Sequence, residues 1–235
     1  MLVDQLKALL VNGSPDTVRG MHVAILDIFE EGLKEAGSKV TRLDVYKQRI
    51  PPCSSCASCW RQTPGECAQE DDMKTILPLV AQSDILTLAT PVYLDGMTGP
   101  MKTFLDRLIP LLKGRVELRD GHMRHSVREG VKRGKIVLLS ASGFPELDNF
   151  DPLVAHVKAA SRNLSREYAG EILFPSGWYL RRSEAMDEVM GMVRNAGVEL
   201  VVKGRIPGGL SSKIQALVPR DEVMEILNVH YGKYE

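Results

Sequence analysis

No sign of charge dominates this chain. Lys plus Arg and Asp plus Glu number 30 each, so no global field draws it to nucleic acid or to an anionic membrane. No apolar run nears the roughly 20 residues of a membrane-spanning helix. The opening stretch "MLVDQLKALLVNG" is interrupted by Asp4 and Lys7, and no basic region leads into a cleavage site, so a secretory leader is not expected. These absences predict a soluble cytoplasmic protein with neither nucleic acid nor membrane as a partner. Internal repeats and low-complexity segments are lacking as well. So are the three glycines of G-x-G-x-x-G, which speaks against a dinucleotide fingerprint. Cysteine is scarce: the chain holds four, all between positions 53 and 67. A secreted chain of this size more often spreads its cysteines as cross-links, whereas clustered thiols in a reducing compartment favour metal or redox chemistry.

What is there reads as alternating strands and helices. With 235 residues the chain suits one large domain, or one domain with a tail, and can bury a real core. "KALLVN" is a short apolar strand ending at "GSP". In "HVAILDIFEEGLKEAG", Val23, Leu26, Ile28 or Phe29, and Leu33 fall near helical spacing, and Gly37 stops the helix. "SKVTRLDVY" predicts a second strand. "DDMKTILPLVAQS" predicts a helix capped near Asp71 or Asp72 and weakened at Pro78. Then come the apolar strand "DILTLATPVY", the helix "TGPMKTFLDRLIPLL", the buried strand "KIVLLSASG" and the helix "DPLVAHVKAASRNLS". A fifth strand in "EYAGEILFPSGWYL" and a long helix in "SEAMDEVMGMVRNAGVELVVKG" complete the series. Continuous apolar strands alternating with helices predict an α/β fold: a doubly wound, five-stranded parallel sheet with helices on both faces. Residues 1–204 form this domain, with a cysteine loop at 51–67 and a long loop after the third helix. Residues 205–235 form an extension packed on the domain or on a subunit partner.

In such a sheet, ligands sit beyond the carboxyl ends of the strands at the switch point. Three loops then face one ligand: "NGSPDTVRG", "TPVYLDGMTG" and "SASGFPELDNF". The first opens a helix, so its free N–H groups and the helix dipole suit a phosphate. Ser14 and Thr17 add hydroxyls and Arg19 a charge.

Cys53, Cys56, Cys59 and Cys67 form C-x-x-C-x-x-C followed, after seven residues, by a fourth Cys. Cysteines at every third position let one short loop wrap a compact inorganic core, and a fourth sulfur can arrive from slightly further on. Structural zinc more often uses two separated pairs. The spacing therefore favours an iron–sulfur cluster, with zinc, redox thiols and a disulfide left as alternatives. Pro51 and Pro52 keep helix out of this loop, and Ser54, Ser55, Ala57 and Ser58 are small enough to bring N–H groups near sulfur. Trp60 either shields the site or packs as a lid on the domain.

The stretches "KALLVNGSP", "IPPCSSCASCW" with Cys67 and "DDMKTI", and "DILTLATPVYLDGMTGPMKTFLDR" resemble the NAD(P)H-dependent FMN reductase superfamily, and within it the iron-sulfur flavoproteins. The resemblance covers roughly the first 110 residues well and "VLLSASGF" more loosely. It implies a flavodoxin-like sheet with FMN at the three loops. Carried over by position, Ser14 and its loop would hold the phosphate. Pro91, Val92 and Tyr93 would border the flavin ring, and Ser142 with Gly143 would close its other side. A four-iron, four-sulfur (4Fe-4S) cluster on the four cysteines is implied too. So is a homodimer or homotetramer, exchanging electrons with a ferredoxin-like protein or NAD(P)H. One departure stands out: where the family usually has Arg after "GSP", this chain has Asp16, and an acid beside a phosphate is repulsive.

The function expected is electron transfer between FMN and the cluster, an oxidoreductase needing no side-chain acid or nucleophile. Two alternatives stay open: an NAD(P)H-dependent FMN or quinone reductase without a cluster, and a zinc-stabilised binding module without enzymatic activity. Other residues read as ordinary. His122 and His125 lie in a polar segment, 113–135, where Lys and Arg outnumber acids eight to three; a solvated face is expected, although its length suits a lid or contact. His156 reads as a helix residue with a local partner. Trp178 and Tyr179 suit either a flavin contact or packing, and the Met-rich "EAMDEVMGMV" an adaptable packing face.

Overall fold

The computed structural model describes residues 5–234; the first four residues of the opening stretch, including Asp4, lie outside them. In chain order the first elements are β1 (Lys7–Asn12), α1 (Met21–Glu35), β2 (Lys39–Asp44), α2 (Ser58–Arg61), α3 (Met73–Gln82), β3 (Ile85–Pro91) and α4 (Gly99–Asp106). There follow β4 (Leu112–Arg119), β5 (His122–Val127), β6 (Lys135–Ala141), α5 (Asp151–Asn163), β7 (Glu167–Phe174) and α6 (Gly177–Leu180). The chain closes with α7 (Met186–Lys203), α8 (Leu210–Gln215) and α9 (Arg220–Tyr231). Five strands pair in parallel in the order β2-β1-β3-β6-β7. This is the flavodoxin-like doubly wound sheet, with its switch point between β1 and β3.

Alternation along each strand divides the core between two faces. Ala8 and Leu10 of β1 pack with α1, α7, α8 and α9. Leu9 and Val11 pack with α3, α4 and α5. The buried stripe of α1 is Met21, Ile25, Leu26, Phe29 and Leu33, so the helix is rotated slightly from the expected face and leaves Val23 and Ile28 at its margin. Its contact with α7 is close because both helices present glycine: a Cβ on Gly32 would lie 2.1 Å from the Arg194 carbonyl oxygen. Pro78 lies inside α3 without ending it, since Met73, Ile76, Leu77 and Val80 are buried around it.

The segment expected as a long loop after the third helix is folded instead: β4 and β5 form an antiparallel hairpin, with Leu118 opposite Met123 and Arg119 opposite His122. Its turn is Asp120-Gly121, both with positive φ (53° and 77°), the pairing that tight hairpins prefer. Asp-Gly between alternating apolar residues carried that signal; the high charge of the segment obscured it. Residues 206–223 lie against the sheet. The Ile206 N–H donates to the Ala169 carbonyl at 2.8 Å, and Leu210, Ile214, Val218 and Val223 are buried in the α1 and α7 layer. Among the described residues no helix is long and apolar enough to cross a membrane.

Candidate functional site

The loops after β1, β3 and β6 meet at the carboxyl edge of the sheet because their backbones are tied to one another. The Gly13 N–H donates to the Ala89 carbonyl at 2.7 Å, and the Val92 N–H to the Ala141 carbonyl at 2.9 Å. The Thr98 hydroxyl donates to the Gly13 carbonyl at 2.7 Å, and the Ser140 hydroxyl to the Thr90 carbonyl at 2.7 Å. Gly13 is required there, since a Cβ would come within 2.9 Å of Met101 Cβ. The third loop is pinned from α6: Trp178 Nε1–H donates to the Gly143 carbonyl at 2.9 Å, and the Gly177 N–H to the Ser142 carbonyl at 3.1 Å. Trp178 thus anchors a loop. Thr98 and Trp178 escaped sequence reasoning in this role, because nothing in one chain's sequence says which hydroxyl or indole bridges two loops.

This edge brings together Ser14, Pro91, Val92, Tyr93, Ser142 and Gly143. Ser14 is buried and its N–H donates to Asn12 Oδ1 at 3.0 Å. Tyr93 closes a tight turn with Gly96, each N–H donating to the other's carbonyl, and Leu94 and Asp95 between them are left-handed. Cβ atoms built on Gly99 and Gly143 meet nothing within 4 Å, so the backbone is open at these two positions.

The loop after β1 is folded back on itself. Asp16 turns back on it, its Oδ1 accepting the N–H groups of Val18 at 3.1 Å and Arg19 at 2.9 Å. Two of the loop's N–H groups, expected to be free for a phosphate, thus already hold a carboxylate. The Arg19 and Val18 amides, with the charge of Arg181 behind them, keep the Asp16 carboxyl below its ordinary range. Thr17 is half-buried and Arg19 exposed. Beneath them, burial lowers His22 to about 4 despite a backbone hydrogen bond at Thr90, and its Nε2 has no partner.

All four cysteines line a second cavity, of about 180 Å³, with Trp60, Asp106, Arg107 and Pro110. That is below the range of cavities for drug-sized ligands. Among the described residues no three His, Cys, Asp or Glu side chains converge tightly enough to hold a single metal ion; the thiols ring a space instead. Ser55 and Ala57, between cysteines, are left-handed with φ of 57°, which curls the loop about that space. Cys56 is lowered to about 7 by hydrogen bonds, first from the Ser58 hydroxyl, then from the Ser58 backbone and the Ser54 hydroxyl. Cys59 is raised, first by burial and then by the charges of Cys67, Cys53 and Cys56. Four soft donors lining one small cavity fit a compact thiolate-held core.

Trp60 forms a wall of this cavity and also packs. Its Nε1–H donates to the Leu112 carbonyl at 3.0 Å, and its ring meets His125 at 4.4 Å. His122 and His125, three apart on a strand, face opposite sides and form no ligand pair; His125 is half-buried against Trp60 rather than solvated. His156 on α5 is pushed down, first by burial and then by Lys102, with Asp106 opposing. Met186, Met190 and Met192 pack at the margin of the core. Sequence reasoning passed over Arg107, which is buried against Cys67. The helix α4 joins the two sites. Gly99 at its start adjoins the three loops, and Asp106 and Arg107 at its end line the cysteine cavity, about 12 Å away along eight residues of helix.

Residues 6–141 match the model of the NADPH-dependent FMN reductase family. An iron-sulfur flavoprotein of Archaeoglobus fulgidus is 34% identical over 141 residues, covering 60% of this chain and 58% of that protein. One from Methanocaldococcus jannaschii is 29% identical over 128 residues, covering 54% and 63%. The alignments thus span about three fifths of these relatives' length. Among solved structures, an FMN-dependent NADH-azoreductase from Bacillus anthracis in complex with FMN superposes with a TM-score of 0.62 at 17% identity, covering 84% of this chain and 100% of that one. An NAD(P)H:quinone oxidoreductase from Methanothermobacter marburgensis gives 0.60 at 16% identity, covering 83% and 97%. At such identities these two likenesses speak for the fold.

Proposed function

The chain belongs to the NADPH-dependent FMN reductase family, and from that premise we propose that it is a redox flavoprotein that pairs FMN with a four-iron, four-sulfur cluster. The observation that carries the reading is the ring of four thiols about one small cavity, joined by α4 to the loops where the family implies FMN. When bound, FMN takes up electrons in pairs and releases them singly, and a cluster passes one at a time.

The chain's own residues bind, orient and shield. Ser14 and the start of α1 hold the phosphate, with Arg19 and Arg181 supplying positive charge against Asp16. The Tyr93 turn and the Ser142-Gly143 loop border the ring, kept in register by Thr98 and Trp178. Cys53, Cys56, Cys59 and Cys67 hold the cluster, and Trp60 excludes water from one side. Nothing in this arrangement calls for a side-chain acid or nucleophile. The electron donor we propose is NAD(P)H or a ferredoxin-like protein.

Anaerobic addition of NADPH, then of dithionite, tests this. Flavin absorbance should bleach, and an iron–sulfur paramagnetic signal should appear on full reduction. Flavin that bleaches with no such signal would instead select a cluster-free reductase.

A further inference from the structure

Arg107 heads the fully buried side chains, at 1% exposure, and each of its side-chain hydrogen bonds ends on the cysteine loop or on the acid beside it. Nη1–H donates to the Pro51 carbonyl at 2.6 Å. Nη2–H donates to Asp71 Oδ2 at 2.7 Å and meets Cys67 Sγ at 3.2 Å. The Asp71 side chain is equally buried, and its other oxygen accepts the Met73 N–H at 2.9 Å. Arg107 therefore bridges the two ends of the loop, from just before Cys53 to Cys67.

Packing alone does not call for such a pair. Two buried charges lose their hydration, and apolar residues of similar volume often serve the fold as well or better. Here the cation is aimed at a sulfur.

Resting on the reading of Cys67 as a cluster ligand, we propose that Arg107 and Asp71 are a positioning pair that sets the reduction potential at the cysteine site, each residue pulling it the opposite way. A thiolate-held core gains negative charge with each electron, and its potential follows nearby charge and hydrogen bonds to sulfur. Arg107 places a fixed positive charge and an N–H at Cys67 Sγ, which favours the reduced state. Asp71 cancels part of that charge, which favours the oxidised state. The cation that meets the sulfur and the carboxylate that holds that cation thus keep the potential between two limits.

The test is an anaerobic redox titration of the full chain, with dithionite as the reductant, iron content measured alongside, and the iron–sulfur paramagnetic signal as the readout. Arg107→Gln should move the midpoint negative by about 59 mV, a tenfold change in the one-electron equilibrium. Asp71→Asn should move it positive by a similar amount, and Arg107→Lys, which keeps the charge, should stay near the parent. Should Arg107→Gln fail to take up iron, the positive shift in Asp71→Asn and the near-parent value of Arg107→Lys still decide. Shifts of the same sign in Arg107→Gln and Asp71→Asn would overturn the inference while leaving the cluster reading intact, as would iron lost in proportion to stability with the remaining potential unchanged. Parent protein without iron would overturn both.

Discussion

Trp60 and Leu112 are joined across 52 residues by an indole N–H donated to a main-chain carbonyl at 3.0 Å. The bond ties the cysteine loop to the first strand of the β4–β5 hairpin, and the His125 ring of β5 lies tilted against the indole at 4.4 Å. Trp60→Phe keeps the ring and loses the bond, and should cost about 1 kcal/mol in urea unfolding. Trp60→Ala also empties the wall of the cavity and should cost about 3 kcal/mol. Equal, small effects from both would show that the hairpin does not brace the loop.

The crossing of α1 and α7 depends on glycine. In Gly32→Ala the new Cβ meets the Arg194 carbonyl oxygen, a backbone atom that cannot step aside, so the variant should lose about 3 kcal/mol. Gly191→Ala, in α7 with nothing within 4 Å of its Cβ, should instead gain up to about 1 kcal/mol from helix propensity. Thermal unfolding of the two variants separates contact from propensity.

The sheet was legible because its strands are continuous apolar runs between helical patterns, a signal that survives without tertiary information. The gathering of the four cysteines about one cavity was legible because all four fall between positions 53 and 67. Three things were not. The hairpin was hidden by its charge, although Asp120-Gly121 marks its turn. Arg107 reads as an ordinary basic residue at a helix end until the fold buries it against Cys67. Asp16 was seen as a departure, but that it would fold back onto the Val18 and Arg19 amides depends on loop geometry, which no spacing encodes.

That geometry has a consequence for flavin binding. Asp16→Asn keeps an oxygen for the two amides and removes the negative charge, so FMN should bind about fivefold tighter. Riboflavin, which lacks the phosphate, should bind unchanged. Calorimetric titration with both flavins checks this, and equal gains for the two would place the effect outside the phosphate loop.

His22 links stability to pH. Its folded value, about 4, lies below its ordinary 6.5, so below pH 6.5 the unfolded chain takes up a proton that the folded chain refuses. Stability is fully present above pH 6.5 and is lost as pH falls towards 4, by about 3 kcal/mol from this group. His22→Gln, which does not titrate, should flatten that part of a denaturation series. An unchanged slope between pH 6.5 and 4 would assign the loss to other groups.

The two proposed sites should also be separable. Cys56→Ser should abolish bound iron while leaving FMN largely bound, because Cys56 lines the cavity at the Asp106 end of α4, to which none of the three loops contributes a lining residue. Metal and flavin contents of the purified variant decide, and parallel loss of both would mean a single shared site.

Protein purified without oxygen and assayed for iron, acid-labile sulfide, zinc and flavin gives the most direct test of all. Expected are about four iron, about four sulfide and one FMN per chain, with no zinc. Protein carrying flavin but no iron, or one zinc ion in its place, would contradict the pairing of FMN with a cluster.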